Sequence, residues 1–271
     1  MELTSGQVAV VTGGASGIGL SLAKQFSSRG LNVVIADLRA EALEPAVAEI
    51  SSLGGRAIGV ATDVSDARSV ESLAEATIAE FGKVNVICNN AGIVCPYGPP
   101  MWEQDPNIWR WSIDVMLVGI VNGVRSFVPK IIEAGQGHVV NTASMAGLIN
   151  LPGLTPYVAV KHAVVGMTET LAMELRMAKV DIGATVLCPG YAPSGLGVTT
   201  REVAPDYVTL EPLPEGAENM APPALLTTDD IALETIEAIE ANRVHAIVSR
   251  GDGDPSMIRR RIDSVLGDLR D

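Results

Sequence analysis

The chain has 271 residues, of which 47% are hydrophobic and only 4% aromatic, and its formal net charge at pH 7 is −13. The apolar content is therefore mostly aliphatic, as parallel strands buried under helices require, and the length suits one large domain or two small ones. The negative charge opposes nucleic acid and anionic lipid surfaces as partners, since both need basic patches.

In chain order, Met1-Glu2-Leu3-Thr4 has no basic segment followed by an apolar run, so no secretory leader is expected. The first strand is expected over Val8 to Thr12. It runs into Thr12-Gly13-Gly14-Ala15-Ser16-Gly17-Ile18-Gly19, and an amphipathic helix starts there. Glycines permit a tight turn and let the backbone approach a pyrophosphate closely. The helix N-terminus adds free N–H groups and a partial positive charge. A glycine cluster between a strand and a helix therefore predicts a dinucleotide site, with Gly13, Ser16, Gly17, Ile18 and Gly19 as its cradle.

A second strand, Val33 to Asp37, ends in a carboxylate suited to the ribose hydroxyls of the adenosine. The same charge would repel a 2′-phosphate, so NAD is the expected cofactor despite the neighbouring Arg39. The alternative is that Asp37 caps the next helix. That helix is expected over Arg39 to Leu53, with Pro45 either kinking it or marking a later start. A third strand, Ala57 to Thr62, places Asp63 and Val64 for contact with adenine, and an amphipathic stretch follows from Ser69 to Phe81. The fourth strand, Val84 to Asn89, leads into Asn90, Ala91 and Gly92, expected to line the cleft.

A fifth strand, His138 to Thr142, precedes Ser144. The helix from Thr155 to Met177 then carries Tyr157 and Lys161, whose spacing puts both on one face. A phenolate can take the proton of an alcohol as hydride leaves the carbon, but free Tyr has a pKa near ~10. Bringing it to roughly 7 needs about 4 kcal/mol. One cation ~4 Å away supplies on the order of 4 kcal/mol at an effective dielectric of about 20, before desolvation. Lys161 and an oxidised nicotinamide are two such cations. Ser144 would hold the substrate oxygen against Tyr157, the general base in oxidation and the general acid in reduction.

A sixth strand, Asp181 to Cys188, leads to Pro189 and Gly190, and a seventh is expected over His245 to Ser249. Between them, residues 189–227 are rich in Pro and Gly. Loops this long are usually functional or mobile; a substrate lid with short helices is expected, the alternative being a solvated excursion. Val94, Cys95, Tyr97, Ala146, Leu151 and Tyr191 follow strand ends or candidate catalytic residues and are expected pocket walls. Their mostly apolar character points to a hydrophobic small-molecule alcohol or ketone. His138, His162 and His245 are scattered and read as structural, and Arg259, Arg260 and Arg261 as a solvated or subunit-contact face.

The strand–helix alternation predicts an α/β fold: one doubly wound, Rossmann-type domain over residues 1–271, with a parallel sheet of about seven strands. Cys88, Cys95 and Cys188 have neither metal-site nor disulfide-framework spacing. No metal is expected, no apolar stretch reaches the ~18 residues of a membrane span, and a reducing, cytoplasmic setting follows as the default.

With these residues in view, the sequence resembles the short-chain dehydrogenase/reductase family. The matching pieces are T-G-G-A-S-G-I-G from Thr12, Asp63, N-N-A-G from Asn89, Ser144, Y-V-A-V-K from Tyr157 to Lys161, and Pro189-Gly190. The resemblance implies catalytic roles for Ser144, Tyr157 and Lys161, with Lys161 also on the nicotinamide ribose. It implies a carboxamide contact from Ser194, which stands where the family has a Thr. It also implies a homotetramer. One position departs: Val115-Met116-Leu117-Val118-Gly119 carries Met116 where the family has an Asn that helps hold a water in the proton relay. The Met116 carbonyl is expected to hold that water instead, and Asp114 to point elsewhere on its helix. The competing readings are a non-catalytic NAD-binding sensor or scaffold, and an epimerase or dehydratase on the same fold.

Overall fold

The computed structural model describes residues 1–95, 97–210, 226–250 and 255–269. Part of the expected lid, residues 211–225, lies outside them. The elements in chain order are β1 (Val8–Thr12), α1 (Gly17–Ser28), β2 (Asn32–Asp37), α2 (Leu43–Ser51), β3 (Ala57–Ala61), α3 (Ala67–Phe81) and β4 (Val86–Asn89), then α4 (Pro106–Ile113), α5 (Gly119–Ala134), β5 (Gly137–Thr142), α6 (Thr155–Met177), β6 (Ile182–Pro189), α7 (Leu196–Glu202), α8 (Thr228–Glu240), β7 (His245–Val248) and α9 (Pro255–Gly267).

The strands form one sheet in the order β3-β2-β1-β4-β5-β6-β7, with every neighbouring pair parallel. The order reverses between β1 and β4, which opens a crevice beyond their carboxyl ends. Successive residues of a strand face opposite sides. Ala9 and Val11 of β1 thus join the layer with Leu22, Phe26 and Ile236, while Val10 joins Leu73, Phe127 and Leu175. The doubly wound Rossmann architecture expected from the sequence is the one observed.

Pro45 marks a later helix start. A 3-10 turn covers Ala40–Ala42, and α2 begins at Leu43, which puts Pro45 in its first turn where no N–H is needed. The α4 and α5 helices run on through a wider π turn over Asp114–Val118, closed by the Gly119 N–H on the Asp114 carbonyl. The whole run, Pro106–Ala134, is long and apolar enough to cross a membrane by length and composition, a span the sequence reading had not found. In the fold its inner face packs on β4, β5 and α3.

Candidate active site

The cleft is built where the ends of β1 to β6 meet. Thr12, the last residue of β1, accepts hydrogen bonds through its hydroxyl from the N–H groups of Asn90 (2.9 Å) and Ala91 (3.0 Å). Asn90 in turn donates from Nδ2 to the Thr12 carbonyl (3.0 Å) and accepts from the Thr142 hydroxyl (3.3 Å). The ends of β1, β4 and β5 are thereby locked at one height.

The glycine loop leaves room for little except backbone. A Cβ on Gly19 would stand 2.1 Å from the Gly13 carbonyl oxygen, and Gly17 adopts a φ of +53° that side chains disfavour. Ser16 precedes α1 without capping it, and the first turn of α1 carries no acidic residue. The helix therefore presents unneutralised N–H groups to the cleft, as an anion site requires.

Asp37, at the end of β2, is buried, and its carboxylate accepts from the N–H of Ala15 (3.3 Å) and of Arg39 (3.1 Å). It caps no helix; the turn that follows is headed by Arg39. Asp63 turns one carboxylate oxygen onto the N–H (2.9 Å) and hydroxyl (2.6 Å) of Ser65. Val64 packs against Gly119 and accepts from Asn122 Nδ2 at 2.9 Å, which ties this end of the cleft to α5.

At the other end, the Ser144 side chain lies beside Tyr157 and accepts from the N–H of Ala146 at 3.1 Å. Lys161 is buried one turn along α6 and donates from Nζ to the Thr142 carbonyl at 2.9 Å. Its Nζ stands 5.4 Å from the centre of the Tyr157 ring. Burial lowers the Lys161 ammonium to about 8. Burial likewise raises the Tyr157 phenol above its ordinary value, and the neighbouring Ser144 hydroxyl offsets only part of that. The sequence argument expected Lys161 to make this phenol acidic. In the chain by itself desolvation is the largest influence on the phenol, and the nearby ammonium does not outweigh it.

These parts share one cleft of about 480 Å³. Gly13, Ser16, Gly17, Ile18, Asp37, Asp63, Val64, Asn90, Ala91, Gly92, Tyr157, Lys161, Pro189 and Ser194 line it, whereas Gly19 and Gly190 stand behind the lining. Ser144 reaches it through Tyr157. The expected walls are placed differently. Val94, Cys95, Tyr97, Ala146, Leu151 and Tyr191 are absent from the lining. Cys95 is buried with its thiol 2.9 Å from the Ser112 hydroxyl, Ala146 is buried, and Tyr97 is largely exposed with its ring on Gly153. The apolar lining instead includes Ile93, Trp111, Leu196, Val203, Pro205 and Tyr207. Trp111 and Val115 were findable from helical spacing; the residues beyond 195 depend on the path of an irregular segment.

Asp114 lines the cleft whereas Met116 does not, so the two side chains point to different places, as expected. Met116 is fully buried in the apolar cluster that holds Ile93, Trp111, Ile120 and Val164, with the Tyr157 ring against it.

A family model described as short chain dehydrogenase matches residues 7–203. The 1-deoxy-11-beta-hydroxypentalenate dehydrogenase of Streptomyces exfoliatus is 37% identical over 215 residues, covering 75% of this chain and 78% of the relative. The cyclohexanol dehydrogenase of an Acinetobacter species is 34% identical, covering 84% of this chain and 90% of the relative. Among solved structures, a short-chain dehydrogenase/reductase from Burkholderia phymatum in complex with NAD superimposes with a TM-score of 0.89 at 34% identity, covering 100% of this chain and 98% of that one.

Proposed function

Because this chain belongs to the short-chain dehydrogenase/reductase family, we propose that it is an NAD-dependent dehydrogenase that interconverts a secondary alcohol and a ketone on a hydrophobic small molecule. The carrying observation is that one cleft joins a glycine cradle and a buried carboxylate at one end to the Tyr157–Lys161 pair, with Ser144 on Tyr157, at the other. The donor set suits the dinucleotide. The backbone-only approach at Gly13 and Gly17 and the uncapped start of α1 match a pyrophosphate, and the Asp37 carboxylate matches a ribose diol. When bound, NAD takes up or supplies the hydride, and its oxidised ring brings a positive charge to the cleft.

The chain's own residues handle the proton. In oxidation, the hydroxyl proton of the substrate passes to the Tyr157 oxygen; in reduction, Tyr157 returns a proton to the carbonyl oxygen. The Ser144 hydroxyl, already beside Tyr157, donates to the same substrate oxygen and fixes its position. Lys161 keeps one N–H on Thr142 and has two more to offer to the cofactor ribose and to water. Ile93, Trp111, Val203 and Tyr207 support an apolar substrate, as does the resemblance to relatives named for cyclohexanol and a hydroxypentalenate.

Three buried, free cysteines suit a reducing, cytoplasmic setting. Exposed Val118, Val121 and Ile132 on the α4–α5 run and Met173 and Met177 on α6 support assembly into a homotetramer. The test is NADH formation with a panel of cyclic and acyclic secondary alcohols. Turnover that depends on NAD supports the reading. Tight NAD binding without turnover of any substrate would favour a sensor, and substrate conversion without net NADH an epimerase or dehydratase.

A further inference from the structure

Arg39 stands two residues beyond the ribose carboxylate and lines the cleft. A guanidinium there is the obvious partner for the 2′-phosphate that distinguishes NADP from NAD. In this structure every nitrogen of its side chain is engaged elsewhere. Nε faces Asp37 Oδ1 at 3.4 Å, Nη2 donates to the Ser16 hydroxyl at 3.3 Å, and Nη1 donates to Glu202 Oε2 at 3.2 Å. Its side chain is only 19% exposed.

Glu202 lies 163 residues further along the chain, as the last residue of α7. The lid backbone that leads to it is anchored at two points. The hydroxyl of buried Thr200 accepts from the Val94 N–H at 3.0 Å, and Ser194 lies so close to the glycine loop that a Cβ on Gly17 would stand 2.9 Å from its backbone oxygen. Glu202 is thus placed beside the adenosine end of the cleft, with its side chain 51% exposed and its ion pair made to Arg39.

We infer that Glu202 is a specificity-determining residue for the dinucleotide: with Asp37 it neutralises Arg39 and withholds that cation from a 2′-phosphate. The inference rests on the NAD reading above. Asp37 repels the phosphate directly. Glu202 acts through Arg39, by occupying the guanidinium edge a phosphate would need. Two carboxylates on one guanidinium leave the ribose pocket without net positive charge. Loss of the lid carboxylate frees Nη1 while leaving Asp37 in place to receive a ribose diol.

The experiment measures binding of NAD and NADP separately, by calorimetric titration of the full chain. Wild type, Glu202→Gln, Arg39→Ala, the double variant and Asp37→Ala are compared, with a thermal melt for each. Glu202→Gln is expected to bind NADP on the order of three- to tenfold more tightly, or about 0.7–1.4 kcal/mol at ~1.4 kcal/mol per tenfold. NAD affinity is expected to change less than about twofold. The gain should vanish in the double variant, because it requires Arg39. An unchanged NADP affinity in folded Glu202→Gln, or a gain that survives removal of Arg39, overturns the inference. A wild type that binds NADP as tightly as NAD instead overturns the NAD reading beneath it, so the two failures are distinguishable.

Discussion

The Lys161 ammonium stands 5.4 Å from the centre of the Tyr157 ring, yet its hydrogen bond, at 2.9 Å, goes to the carbonyl of Thr142. The pair is held together by α6 and held slightly apart by β5. Lys161 is therefore placed to bias the phenol electrostatically without neutralising it by direct contact.

This geometry makes Tyr157 hard to ionise in the free chain. Its pKa is raised by burial, and a cation added within the cleft lowers the pKa of a phenol. Tyrosinate absorbance, taken as wild type minus Tyr157→Phe, should therefore appear only above the ordinary tyrosine range in the free protein and move to lower pH when NAD is added. Titration of Tyr157 at or below the ordinary range without cofactor would contradict the burial argument.

Tyr157→Phe removes the proton acceptor but keeps the ring that packs in the cluster around Met116. Turnover should fall by at least ~10², the lower end of what a positioned acid–base group contributes. NAD affinity should stay within about twofold. Retained turnover would remove Tyr157 from the mechanism.

Asp37→Ala deletes a buried carboxylate that accepts from the Ala15 and Arg39 N–H groups. The preference for NAD over NADP, expressed as a ratio of kcat/KM values, should drop by at least ~10-fold, or about 1.4 kcal/mol. An unaltered ratio would count against the ribose assignment.

His138 is fully buried in β5. Its Nε2 is paired with the Thr185 hydroxyl at 2.7 Å, and its Nδ1 has no partner among the described residues. Burial lowers its pKa to about 3, from an ordinary value of 6.5. The folded state therefore holds this ring neutral while the unfolded state takes up a proton below about 6.5. The stability is fully present above that pH and is lost progressively as pH falls towards 3, by up to about 5 kcal/mol over the whole window. Urea midpoints measured from pH 7 down to 4 should fall accordingly. A flat profile would show that His138 is protonated or hydrated in the fold.

Met116→Asn tests the departure from the family pattern. The side chain is fully buried in the apolar cluster that also holds Ile93, Trp111, Ile120 and Val164. Burying an unpaired amide there should cost about 1–3 kcal/mol and lower Tm by roughly 2–10 °C. An unchanged or raised Tm would mean that the site holds water or a polar partner for the amide.

The order and spacing of local signals were legible from sequence because each arises within one short segment. Gly13 to Gly19 must turn tightly between a strand and a helix, Asp37 ends a strand whose last residue faces the cleft, and Tyr157 and Lys161 share a face through the helical repeat. Tertiary structure decided everything that depends on which distant segments touch. Arg39 meets Glu202 only because the lid folds back to the glycine loop, and Trp111 and Tyr207 share the cleft only through the same return. The acidity of Tyr157 follows the same division. Spacing placed a cation nearby, but the balance between its field and the loss of solvent depends on how densely other elements cover the hydroxyl, and burial is a property of the assembled fold.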